Sequence, residues 1–124
     1  MDIKLKSLQQ SYEDSKNLAK EIGGYLSDKK GLKIVLINIA GMTAIADYFV
    51  ICSAKSTTAV KALVEHVDEK LSKRGLEPKG RDIDAKWSAV DYGSVILHVF
   101  LEETREFYRL ERLWEKDDNI EALE

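Results

Sequence analysis

Asp82 and Asp84 stand two residues apart, the spacing at which two carboxylates on a β-strand project to one face. In nucleotidyltransferases such a pair holds the metal ions for phosphoryl transfer. Here it follows Pro78-Lys79-Gly80 in a polar stretch, and the glycine–serine turn that should precede it and cradle phosphates is not evident. Loop aspartates that cap turns are the reading this context favours, with metal ligation as the alternative. His98 lies among Ile96, Val99 and Phe100, with no nucleophile paired to it. It reads as a buried histidine, hydrogen-bonded or stacked on Trp87, or else as a contact near a partner surface. His66 falls off the apolar stripe of its segment and reads as solvated. The single cysteine, Cys52, sits in an apolar run and reads as a small core residue. One cysteine leaves no intramolecular disulfide, and with two histidines it makes no standard structural zinc site. A reducing compartment fits. No cofactor, metal or catalytic group is expected.

Chemistry of recognition is better represented. Trp87 and Asp91 are an even number of residues apart, so they share a strand face, with small Ala89 between them. A tryptophan beside a carboxylate suits an interface with a basic partner. The competing reading puts Trp87 in the core and Asp91 in a turn. Arg105, Arg109 and Arg112 recur among Glu102, Glu106 and Glu111, a spacing that allows ion pairs along a solvated helix face. Tyr108 could reach the sheet edge and touch a partner. Lys70, Lys73, Arg74, Lys79 and Arg81 form the one basic concentration of note. It reads as a solvated loop or as a minor contact at the edge of a footprint.

The elements that must position these groups are legible as periodicities. The chain has 124 residues, 44% of them apolar and 33% charged, with a net charge of −3. That suggests one soluble domain over 1–124, cytoplasmic and without a membrane span. The net charge argues against broad binding to a phosphate backbone. Residues 7–28 read as a helix with a capping box at Ser7 and Gln10, stopped by a left-handed Gly31. Residues 33–39 and 47–53 read as buried strands. A helix is expected over 57–74, capped at Ser56 or Thr57 and ended by Gly75. Residues 76–86 read as loop. Strands over 86–91 and 94–101 form a hairpin turning at Tyr92-Gly93, or through a three-residue loop. A final helix spans about 103–115, with Phe107, Leu110 and Trp114 on one stripe. Residues 116–124 are acidic and expected to fray. The fold class is α/β or α+β, with a mixed sheet of about four to five strands flanked by helices.

Three blocks of the chain resemble the ribosomal silencing factor (RsfS, Iojap) family. They are Asp47-Tyr48-Phe49-Val50-Ile51 with Ser53 and Ser56; Trp87 to Gly93 running into His98-Val99-Phe100; and Arg105, Phe107-Tyr108, Leu110-Glu111 and Leu113-Trp114. The chain departs from the family's pattern at Ala54, where glycine is usual, at Lys79-Gly80, where Glu-Gly is common, and at Ser94, where aspartate is frequent. The resemblance implies a nucleotidyltransferase-like fold without a catalytic site. It implies binding to the large ribosomal subunit through a protein of the L-fourteen type, and steric obstruction of subunit joining. Several members of that family form homodimers in isolation, which makes a homodimer possible here. The patch implied here is Trp87, Asp91 and Tyr92, with Lys79, Arg105 and Tyr108 around it. Two rival readings are a nucleotide-binding domain using Asp82 and Asp84, and a dimerisation module acting on some other protein.

Overall fold

The structure is a computed structural model that describes residues 3–123. Its elements are α1 (Ile3–Asp28), β1 (Leu32–Asn38), β2 (Tyr48–Ala54), α2 (Thr57–Lys73), β3 (Gly80–Asp82), β4 (Trp87–Asp91), β5 (Val95–Leu101), α3 (Glu102–Tyr108), α4 (Leu110–Trp114) and β6 (Ile120–Leu123). The strands form one mixed six-stranded sheet in the order β3-β4-β5-β2-β1-β6. The β2–β5 pair is parallel, and the other pairs are antiparallel. Helix α2 and the β3–β4 excursion lie between the two parallel strands in sequence, which is the long crossover that parallel pairing requires.

The apolar residues of the central strands point to both faces, and each face has its own core. On the first face Leu36, Val50, Cys52, Leu97 and Val99 meet Ile22 and Leu26 of α1 and Val60, Val67 and Leu71 of α2. On the second face Ile37, Phe49, Ile51 and Phe100 meet Leu110, with Trp114 half-buried beside them. Each buried Leu, Ile or Phe contributes about 1.5–3 kcal/mol of transfer free energy.

Several local expectations change. Helix α1 begins by Ile3, so Ser7 lies inside it and is no N-cap. At its end Lys30, not Gly31, takes the left-handed conformation (φ 63°). Gly31 donates its N–H to the Leu26 carbonyl at 2.8 Å, and a Cβ there would press on Cys52 Sγ. Ser56 does cap α2, its Oγ accepting from the Ala59 N–H at 3.1 Å, and Gly75 (φ 86°) follows the helix. The loop expected at 76–86 contains the three-residue edge strand β3.

The β4–β5 hairpin turns at Gly93-Ser94 rather than Tyr92-Gly93. Asp91 faces Ile96, Ala89 faces His98 and Trp87 faces Phe100. Glycine is the residue favoured at the first central position of such a turn when φ is positive, here 95°. Asp91 Oδ1 accepts from the Gly93 N–H at 2.7 Å and fixes the turn. The register moves by two residues, so every side chain keeps the face its parity gave it.

The last helix is broken. Arg109 is left-handed (φ 49°) and separates α3 from α4. Phe107, Leu110 and Trp114 therefore do not share one stripe: Leu110 is buried and Phe107 is 79% exposed. The expected frayed tail is ordered from Ile120 to Leu123 as β6, paired antiparallel to β1. Asn119 anchors it, donating from Nδ2 to the Asn38 and Trp114 carbonyls at 3.1 and 2.8 Å.

Candidate functional site

Helices α1 and α2 back the first sheet face, whereas α4 covers only part of the second. Leu110 and Trp114 sit with the β1–β2 side, where the Trp114 ring meets Phe49 edge-on at 5.3 Å between centroids. Toward the β4 edge the sheet is only half covered. Trp87, Ala89, Asp91 and Ile96 are all half-buried, and the even spacing of the β4 residues places them on one face. This open half is the candidate site.

Its centre is an aromatic ladder. The Trp87 ring stacks on Phe100 at 4.7 Å and lies 5.1 Å from Tyr108, which in turn meets Phe107 edge-on at 5.0 Å. The series runs from a fully buried ring, Phe100, to one almost wholly in solvent, Phe107. The left-handed turn at Arg109 ends α3 directly after Tyr108, so the two outer rings stand at the end of that helix over the sheet edge. Beside them opens a cleft of about 690 Å³, lined by Trp87, Ala89, Phe107 and Tyr108 and edged by three carboxylates, Asp82, Asp84 and Glu103, and one cation, Lys86. Trp87 thus joins the two readings of it: one side of the ring packs inward, and the residue remains half-exposed.

His98 supports Trp87 from below. The Trp87 Nε1–H donates to His98 Nδ1 at 3.1 Å, and Phe49 packs edge-on against the imidazole at 4.8 Å. Burial pushes the His98 pKa down to about 4, so the ring is neutral near pH 7. With Nδ1 accepting, the ring proton belongs on Nε2. That atom is buried without a hydrogen-bond partner, an arrangement that costs about 1–3 kcal/mol.

The structure brings together some of the residues expected from sequence and separates others. Trp87 and Tyr108 meet. Asp91 shares their sheet face but lies at the other end of β4, occupied in the turn. Lys79 is exposed beside that turn; its N–H donates to the Asp91 carbonyl at 2.7 Å. Tyr92 is a correction. It is buried on the opposite face, in the first core, because its position in β4's alternation differs from Trp87's by an odd number. Its hydroxyl donates to Asp68 Oδ1 at 3.1 Å, and burial raises its pKa. Arg105 is the second correction: it is buried and internally satisfied. It donates to the Lys33 carbonyl at 2.6 Å and to Ser53 Oγ at 2.9 Å, and pairs with Glu111 at 2.8 Å. It ties α3 and α4 to β1 and β2.

The other expected groups also have structural duties. Asp84 Oδ2 accepts from the Lys86 and Trp87 N–H groups at 2.9 and 3.3 Å, which is turn capping. Among the described residues, no three His, Cys, Asp or Glu side chains cluster as metal ligands. Cys52 is buried and its thiol is pushed up to about 12 by burial. In the basic concentration, Lys73 pairs with Glu69, Arg74 with Glu21 and Arg81 with Asp68. Phe107 and Ile96 were missed as surface residues. Nothing in the sequence marks Arg109 as left-handed, and without that break Phe107 falls on the buried stripe.

The match to known proteins covers most of the chain. Residues 12–124 match the family model described as "Ribosomal silencing factor during starvation". The ribosomal silencing factor RsfS of Bacillus subtilis is 33% identical over 104 residues, covering 82% of this chain and 87% of its own. The mouse "Mitochondrial assembly of ribosomal large subunit protein 1" is 37% identical over 95 residues, covering 72% of this chain and 41% of its own. A crystal structure of a Chromobacterium violaceum protein superposes with a TM-score of 0.73 at 30% identity, covering 86% of this chain and 90% of that one. Among the described residues no helix is long and apolar enough to cross a membrane. On the matched residues and on these relatives, the chain belongs to the ribosomal silencing factor family.

Proposed function

We propose that this protein binds the large ribosomal subunit through the open half of its second sheet face and represses translation by blocking the small subunit sterically. The docking partner is the large-subunit protein of the L-fourteen type. The observation that carries this reading is the exposed end of the aromatic ladder, Trp87, Tyr108 and Phe107, beside a cleft with a carboxylate rim. Aromatic anchors at the centre of a patch supply most of the binding energy of an interface. The acidic rim and the net charge of −3 complement a basic ribosomal surface and favour encounter with it. The role is regulatory and uses no chemistry of its own. Lys70 and Lys79 provide a minor contact with ribosomal RNA at the edge of the footprint. A homodimer formed through the same face would compete with the ribosome.

The test is sedimentation with purified subunits through a sucrose gradient. The protein is expected to travel with the large subunit, not the small one, and to lower the yield of joined ribosomes in proportion to its occupancy. Protein that remains at the top of the gradient at micromolar concentration would contradict the proposal.

A further inference from the structure

Trp87 stands on the open half of the sheet, where it is only half-buried. A tryptophan so placed has more than one staggered orientation open to it. Two contacts select one of them. The ring stacks on Phe100 at 4.7 Å between centroids, with 27° between the planes. Its Nε1–H donates to His98 Nδ1 at 3.1 Å. The stack sets the plane of the indole, and the hydrogen bond sets which edge points inward.

His98 is the acceptor this face supplies for that N–H. Its neighbours there are Phe49, Ile51, Ala89, Ile96 and Phe100, none with a side-chain acceptor. Asp91 is bound to the Gly93 N–H in the turn, and Asp84 Oδ2 accepts from the backbone N–H groups of Lys86 and Trp87. With an apolar residue at position 98, the indole N–H is left unpaired or turns out to water, and turning out breaks the stack. The histidine is itself costly here, because its Nε2 is buried without a partner. A phenylalanine of similar shape would carry no such penalty. Fixing Trp87 offsets that cost.

We propose that His98 is a positioning residue for ribosome binding: it holds the Trp87 Nε1–H inward, so that the indole presents its carbon edge and outer face, beside Tyr108, to the large subunit. His98 is 8% exposed and lies beneath the contact surface rather than in it. Its contribution is preorganisation of the anchor, which lowers the ordering cost of binding. The inference rests on the docking role given above to the Trp87 face.

Large-subunit affinities of the wild type, His98→Phe, Trp87→Phe and the double variant test this, each measured on protein that unfolds cooperatively. His98→Phe is expected to bind about fivefold more weakly than the wild type, the scale of one hydrogen bond. In the Trp87→Phe background there is no indole N–H to hold, so the same change should have no further effect. The Trp87 indole N–H resonance, identified by its absence from Trp87→Phe, should be protected from solvent exchange in the wild type and exchange rapidly in His98→Phe. A purely structural histidine would move neither the affinity of a folded variant nor the coupling between the two sites. A folded His98→Phe that binds as the wild type does, an equal loss in the Trp87→Phe background, or an unchanged indole resonance would each overturn the proposal while leaving the docking face in place. A wild type that does not bind the large subunit would remove the docking assignment, and this proposal with it.

Discussion

Trp87, His98 and Arg105 carry different kinds of energy, and their substitutions should separate accordingly. Arg105 is buried with Glu111, Ser53 and the Lys33 carbonyl as partners. Arg105→Ala leaves those acceptors unpaired and should cost about 3 kcal/mol in urea unfolding. Ribosome binding should persist wherever the variant is still folded, because the guanidinium is engaged inside the protein. Trp87→Phe keeps the stack on Phe100 but removes the bond to His98. It should cost about 1 kcal/mol in stability, whereas Trp87→Ala also opens a gap beside Phe100 and should cost more. His98 gives the protein a pH dependence of known sign. Its folded pKa, about 4, lies below the ordinary 6.5. The unfolded chain therefore takes up the proton first, so stability is full above pH 6.5 and falls as pH drops toward 4. Protonation at Nδ1 would also break the Trp87 bond. Between pH 7 and pH 5 this group should account for about 2 kcal/mol of lost unfolding free energy. The loss should shrink by that amount in His98→Phe; an unchanged pH profile would contradict the assignment.

At the scale of elements, the ends of the sheet decide what remains open. Strand β6 extends the covered side, and its Leu123 side chain occupies the space where a Cβ of Gly23 would stand. Gly23→Ala should therefore turn the Leu123 side chain aside and loosen β6, with stability staying within about 1 kcal/mol of the wild type because alanine favours the helix. Faster amide exchange confined to residues 120–123 and their β1 partners would confirm the cause. The central elements were legible in the sequence because their signals are strong. The apolar runs over β1, β2 and β5 need two covered faces, and the α2 stripe comes with Ser56 and Gly75 at its ends. Strands β3 and β6 were not legible. Three or four residues are too few for alternation to register, and β6 is ordered by pairing with β1, a neighbour distant in sequence. Trp87 and Tyr108, which the sequence places at a strand and a helix end, meet beside the cleft. Tyr92 and Arg105 were misplaced for opposite reasons. Strand parity alone sends Tyr92 inward, whereas the burial of Arg105 depends on Lys33 and Ser53, which no local pattern connects to it.

At the scale of the molecule, a sheet with one fully covered and one half-covered face has a docking surface built into its topology. The short, broken α3–α4 segment cannot span the six strands, so an aromatic edge remains available beside the cleft. Substitutions there should divide binding from folding. Phe107 and Tyr108 are exposed, and replacing both with serine should leave unfolding free energy within about 1 kcal/mol of the wild type. The most direct measurement is the affinity of Phe107→Ser with Tyr108→Ser for purified large subunits, set beside the wild type under identical salt. The double variant is expected to lose at least tenfold in affinity, about 1.4 kcal/mol, with a matching loss of the block on subunit joining. A folded double variant that binds and blocks as the wild type does would contradict the assignment of this face.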